Sequence, residues 1–252
     1  MKKVFITTDI HNFMPYSLEH KKWFYKETDY LIEYLELAKK YNIKVTAFVS
    51  WLEIEKNFEK YKKILEKFWD MLEIWWHTWD SYVSYFKWEW FIYKKLFWCT
   101  LWPYFKQYKD IKKTTDIINK LWIKPISRRT HAYSSNKTTR KILKYFWYKI
   151  ISDLSWLNTF SNELIELPPN VLPDHENIKH PWIKVHKNSI LSTEEYKMKI
   201  FEQILKNDYS VLLLHATCQK YIDNFKTLEE IFEFIKKNNF KSLLLKDYVK
   251  EN

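Results

Sequence analysis

No glycine occurs anywhere in the 252 residues of this chain, while tryptophan occurs 14 times. A domain of this length ordinarily holds about 18 glycines. The absence constrains the fold because the backbone of an α/β protein has places that ask for glycine. A helix that runs into a strand commonly ends on a residue with positive φ, a conformation in which a Cβ crowds the following carbonyl. Four helix-to-strand junctions look alike here: Tyr41-Asn42-Ile43, Leu121-Trp122-Ile123, Phe146-Trp147-Tyr148 and Asn238-Asn239-Phe240. Asparagine tolerates positive φ and tryptophan does not. Trp75-Trp76 before His77, Trp51 after a strand and Trp102 before Pro103 have a similar look, whereas Trp23 and Trp79 read as ordinary tryptophans. The expectation is that many of the tryptophans stand in glycine positions. Reading UGA as tryptophan in a genome where it encodes glycine would produce the pattern, as would deliberate replacement.

The remaining grammar is that of alternating strands and helices. Short apolar runs at 4–8, 45–49, 72–74, 149–152, 211–214 and 242–245 read as strands. Between them lie helical patterns over about 27–41, 54–68, 111–121, 135–146 and 192–207. Ser134 or Ser135 is the expected cap of the fourth helix, and Ser192 to Glu195 and Thr227 to Glu230 read as capping boxes. Residues 10–26, 82–108 and 157–192 lack periodicity and read as loops. No repeat or linker interrupts the alternation, so the expectation is one α/β domain over residues 1–252.

Polar clusters end several of the strands. They are Thr7-Thr8-Asp9-Ile10-His11, His77-Thr78-Trp79-Asp80-Ser81, Arg129-Thr130-His131-Ala132-Tyr133, Asp153-Leu154-Ser155-Trp156 and Leu212-Leu213-Leu214-His215. In a parallel sheet or barrel, strand C-termini share one rim, where such folds keep their chemistry. His77 and Ser81 are four apart, a spacing that puts both on one face of a helical turn. Asp174-His175-Glu176 and His180 form a further group, readable either as extra ligands or as loop residues.

In order and spacing these motifs resemble the polysaccharide deacetylase family, the NodB-homology or carbohydrate esterase 4-like proteins. The resemblance runs from residue 4 to about residue 249 and implies an irregular (β/α) barrel of about seven parallel strands. It implies a hydrolase that removes an acetyl group from an N-acetylated sugar, with a divalent metal, expected to be zinc, activating water. Asp9 then corresponds to the general base, His215 to the general acid, Arg129 to the residue orienting the base, and Asp153 to the carboxylate supporting His215. The metal ligands implied are His77, Ser81 and, in place of the usual second aspartate, His11. Tyr133, Trp156 and Leu212 would contact substrate, and His131 is a ligand, a substrate contact or structural. Ile10, Ser81 and Ala132 depart from the family pattern. The departures leave room for a hydrolase of another non-peptide C–N bond, or a glycan-binding protein on a degenerate scaffold.

Composition narrows the partners. The net charge is +11, yet the lysines are scattered along helices and read as a solvated surface, so no nucleic-acid partner is expected. Cys99 and Cys218 form no paired motif. A strand follows Met1 almost at once, no apolar run approaches the roughly 18 residues of a membrane span, and a cytoplasmic location is expected.

Overall fold

The computed structural model describes residues 1–10, 26–77, 103–130, 135–153, 164–178 and 190–251. His11, Ser81, His131, Tyr133 and Trp156 lie outside these residues, as do His180 and most of the segment 82–108. The strands β1 Lys3–Ile10, β2 Val45–Ser50, β3 Leu72–His77, β4 Ser127–Arg129, β5 Ile150–Ile151, β6 Ile165–Glu166, β7 Tyr209–Leu213 and β8 Lys241–Ser242 hydrogen-bond in the order β6-β5-β4-β3-β2-β1-β7, with β8 also on β1. Each pairing with a defined register is parallel. This is the α/β class that the alternation predicts. The chain divides into two compact units, residues 1–48, 59–73 and 169–252 in the first and residues 49–58 and 74–168 in the second.

The first unit is built on β1, Lys3–Ile10, with β7, Tyr209–Leu213, and β8, Lys241–Ser242, paired to it. Val4, Phe5 and Ile6 are all fully buried. Such a run, apolar on both faces, belongs to a strand covered from both sides. Helix α1, Glu27–Tyr41, has the predicted bounds and buries Tyr30, Leu31, Tyr34, Leu35 and Ala38. Ser192 caps the helix Thr193–Lys206 in the predicted capping box. The box predicted at Thr227 is absent. Thr227 instead donates its backbone N–H and its hydroxyl to Asp223 Oδ2, and the helix Lys226–Lys237 begins at Phe225 with φ 71°.

The second unit contains the end of β3, Leu72–His77, then β4, Ser127–Arg129, β5, Ile150–Ile151, and β6, Ile165–Glu166. The helix Tyr104–Lys120 starts one turn or more before the predicted bound. The helix Lys137–Tyr145 is capped by Asn136, not by Ser134 or Ser135. Asn136 accepts from the Thr139 N–H while the Thr139 hydroxyl accepts from the Asn136 N–H. The helix expected over 54–68 is two, Trp51–Lys56 and Phe58–Phe68, broken where the Asn57 side chain bonds back to Glu53. Trp51 opens the first of these with ordinary φ, and its indole donates to Asp110 at 2.8 Å. Its backbone therefore does not require glycine. None of the helices among the described residues is long and apolar enough to cross a membrane.

All four junctions singled out in the sequence take positive φ: Asn42 at 57°, Trp122 at 63°, Trp147 at 64° and Asn239 at 53°. After three of them the next N–H reaches back to the last helical turn, Ile43 to Ala38, Tyr148 to Leu143 and Phe240 to Ile235. That bond satisfies an orphan carbonyl and requires the left-handed residue before it. For a residue with a Cβ the conformation costs about 1–2 kcal/mol. Phe225 carries the same cost but is only 7% exposed, its ring edge-on to Tyr34 at 6.3 Å between centroids. Burial of a phenylalanine, about 1.5–3 kcal/mol, offsets the strain. Phe225→Ala keeps the strained backbone and loses the ring, so it is expected to cost about 3 kcal/mol. Urea denaturation should show a lower midpoint at unchanged m value.

Candidate active site

Register places the first pair of groups. β1 and β7 run parallel with Thr7 opposite Leu213, so Asp9 and His215, each two residues further on, reach the same level. Leu214 N–H donates to Thr7 O, Ala216 N–H donates to Thr8 Oγ1, and Thr7 Oγ1 donates to Leu212 O. These bonds fasten the two strand ends to each other. Asp9 Oδ2 and His215 Nε2 stand 4.0 Å apart, and both residues are buried. The gap exceeds a direct hydrogen bond and is one that a single water or cation spans. Leu212 is fully buried within β7, opposite Ile6.

The other ring nitrogen of His215 meets Asp174. Nδ1 lies 2.7 Å from Asp174 Oδ1, which also accepts the His175 N–H at 2.7 Å. Oδ2 accepts the backbone N–H of His215 at 2.7 Å and the Gln219 amide at 2.9 Å. Four donors fill the lone pairs of one carboxylate. The family resemblance assigns the support of His215 to Asp153; the carboxylate at its Nδ1 is Asp174. Its only signal in the sequence was a charged triplet, Asp174-His175-Glu176, in a stretch without periodicity.

The electrostatics follow. Burial pushes Asp174 upward, but the His215 charge and hydrogen bond, His175 and Gln219 outweigh it and hold the carboxyl below its ordinary value. For His215 burial pushes the pKa down, while the charge and hydrogen bond of Asp174, then Asp9 and Glu27, raise it above 6.5 overall. The His175 ring centroid is 4.6 Å from that of His215, and Glu176 also interacts electrostatically with His215. Each partner thus favours the charged form of the other, and Nε2 is directed toward Asp9.

Asp174, His175 and His215 also offer ligand atoms that all lie within 4.8 Å of one another, a set of the types that hold a divalent ion. Saturation of both Asp174 oxygens argues that this carboxylate orients His215 and does not itself donate to a cation. A ligating histidine commonly has its second nitrogen held by a carboxylate in this way.

The second unit contains His77, Arg129 and Asp153. His77 ends β3 and is the register partner of Arg129 on β4. Its Nδ1 lies 3.1 Å from Arg129 O. A carbonyl only accepts, so Nδ1 is the protonated nitrogen and the lone pair sits on Nε2, the atom a metal would take. The buried Arg129 donates from Nε to Ser152 O and from Nη2 to Ser152 Oγ at 2.7 Å. Asp153 Oδ1 accepts the Thr130 N–H at 2.6 Å, and its Oδ2 has no partner among the described residues. Arg129 and Asp153 therefore brace the end of β4 against the segment that follows β5.

For His215 the raised pKa makes its stabilisation complete below about 6.5 and lost as pH rises through the folded value. For Asp174 the lowered pKa makes it complete above about 3.9 and lost as pH falls through the folded value. Both are present between about pH 4 and 6.5, and the pair's contribution declines on either side. Imidazole NMR should show His215 titrating above 6.5 and moving down in Asp174→Asn, which should also flatten the alkaline decline in thermal stability. A midpoint unchanged by the substitution would contradict the pairing.

No protein-family model and no curated relative matches the chain. Solved structures do. A protein from Mycobacterium smegmatis described as a polysaccharide deacetylase superposes with a TM-score of 0.77 at 14% identity, covering 99% of this chain and 89% of that one. A family 4 carbohydrate esterase from Streptomyces lividans, solved with acetate, gives 0.57 at 13% identity, covering 97% and 93%. A carbohydrate esterase 4 pseudoenzyme from Bacillus anthracis gives 0.59 at 13%, and this chain spans 64% of its length. The motif order and the coordinates thus meet on one architecture, the irregular (β/α) barrel of the carbohydrate esterase 4 polysaccharide deacetylases, and that fold is the one this chain has.

Proposed function

We propose that the chain is a metal-dependent hydrolase that removes the acetyl group from an N-acetylated sugar or glycan precursor. The observation carrying this reading is the His215–Asp174 pair with Nε2 turned toward Asp9 across 4.0 Å. Amide hydrolysis needs one group to take a proton from water and another to give one to the leaving amine. Asp9 is the group for the first task. His215, kept protonated by Asp174, is the group for the second. Asp174 acts through His215: it fixes which nitrogen carries the outward proton and raises the pH at which that proton is lost. Burial of both groups strengthens their interaction and limits competing solvent.

The donor set suits a divalent cation. His77 offers Nε2 with Nδ1 anchored on a carbonyl, and His11 and Ser81 are the further ligands implied by the motifs. When bound, the cation, for which Zn2+ fits imidazole donors, supplies an acidified water and a polarised carbonyl. Arg129 holds the end of β4 beside His77 through Ser152, and so maintains the strand end from which Tyr133 would meet the substrate oxyanion. Trp156, His131 and Leu212 are the proposed substrate contacts. The competing readings make different use of the same groups. A hydrolase of another C–N bond would share the acid and base and differ in substrate. A glycan-binding protein would have no need of a protonated, carboxylate-backed histidine.

Acetate release from N-acetylhexosamines and their oligomers tests the assignment. Asp9→Asn and His215→Gln should each lower kcat by about 10²- to 10⁴-fold. His77→Ala should lose the metal, and Asp174→Asn should move the alkaline limb of kcat/KM to lower pH. A metal-loaded protein that releases acetate from none of these substrates would sink the proposal.

A further inference from the structure

Trp122 and Trp147 combine two properties that are each unfavourable for a tryptophan. Each closes a helix with φ near 63–64°. Each also projects into solvent, 95% exposed at 122 and 75% at 147. Elsewhere the same backbone state falls on Asn42, Asn224 and Asn239, which tolerate it, or on Phe225, whose ring is buried. A tryptophan at these two turns has the steric crowding of a Cβ without the burial that makes Phe225 acceptable. Only glycine removes the crowding at no loss of packing. The composition points the same way, with 14 tryptophans, no glycine, and about 18 glycines expected for the length.

We infer that residues 122 and 147 are glycine in the protein as its source organism makes it, written as tryptophan because a UGA codon is decoded there as glycine. Trp75 and Trp76 give a second kind of observation. Both are buried in β3, and neither indole N–H has an acceptor among the described residues. A buried donor without a partner is destabilising, and a residue without a side chain has no such donor. Location gives the inference a functional side. Residue 122 turns the chain toward β4 and Arg129, and residue 147 turns it toward β5, Ser152 and Asp153. The two turns lead into the strands whose ends hold candidate-site residues, so relaxed turns there seat those strand ends without strain.

Two measurements decide it. Peptide mapping by mass spectrometry of the protein purified from its source should find glycine at 122 and 147; tryptophan at either position overturns the inference. In a recombinant chain made with tryptophan, Trp122→Gly and Trp147→Gly should each raise Tm by about 2–4 °C. Glycine ordinarily lowers stability through the unfolded chain, so a rise requires relief of native strain. An unchanged or lower Tm in both variants overturns the conformational argument. Phe225→Gly, at the same backbone conformation with a buried ring, should lower Tm and shows that the gain belongs to the exposed positions.

Discussion

The candidate site depends first on the register of β1 against β7. A slip by one residue would turn every side chain on one strand to the other face, and Asp9 and His215 would no longer share a level. The register is held by more than the ladder. Thr7 and Thr8 bond across to Leu212 and Ala216 just where the strands stop, so the pairing persists to the point where the functional groups begin. Val4, Phe5 and Ile6, fully buried, fix the same register from below, since any other would put apolar side chains where polar ones must emerge. Asp9 is held by the core under it.

A second constraint is the saturation of Asp174. A buried carboxylate with an open lone pair would bind whatever cation or proton is near. With four donors on it, two of them backbone N–H groups, it has one orientation and one partner worth charging, His215. The result is an imidazole with a defined tautomer and a raised pKa, without relying on solvent. The short helix Asp174–Asn177 and the helix Ala216–Asp223 exist at this place in part to bring those donors together.

Much of this was legible in the sequence, and the rest was not for identifiable reasons. Helix α1 matches the span expected from the sequence because Leu31, Leu35, Ala38 and Tyr41 repeat at helical spacing. The positive-φ turns at 42, 122, 147 and 239 were legible because helix ends obey local sterics that do not need the tertiary fold. Asp9, His77 and His215 were placed by their position at strand ends. Asp174 was not, because its importance comes from a contact 41 residues away that no periodicity announces. The Thr227 capping box failed for a related reason. Asp223, one turn earlier, competes for the same N–H, and Phe225 is drawn into the core by Tyr34, which moves the helix start. The division of the helix falls at Asn57, whose side chain bonds back to Glu53, and leaves no break in the apolar pattern.

A fold found both in an acetate-bound esterase and in a pseudoenzyme does not by itself carry an activity. The weight falls on whether the buried polar groups have any other reason to be present. Stability alone does not supply one. Burying a charged pair requires desolvating both partners, and apolar residues of similar volume often give equal or greater stability in such places. A chain with no use for a proton donor would lose little by replacing His215 and Asp174 with such residues. Here the pair is buried, fully hydrogen-bonded on the Asp174 side, and directed by its remaining nitrogen at a second carboxylate too far away to bond directly. An arrangement that backs one imidazole nitrogen with a saturated carboxylate, and turns the other toward a second carboxylate 4.0 Å away, is poorly explained by packing and well explained by the proton transfer of the proposed reaction.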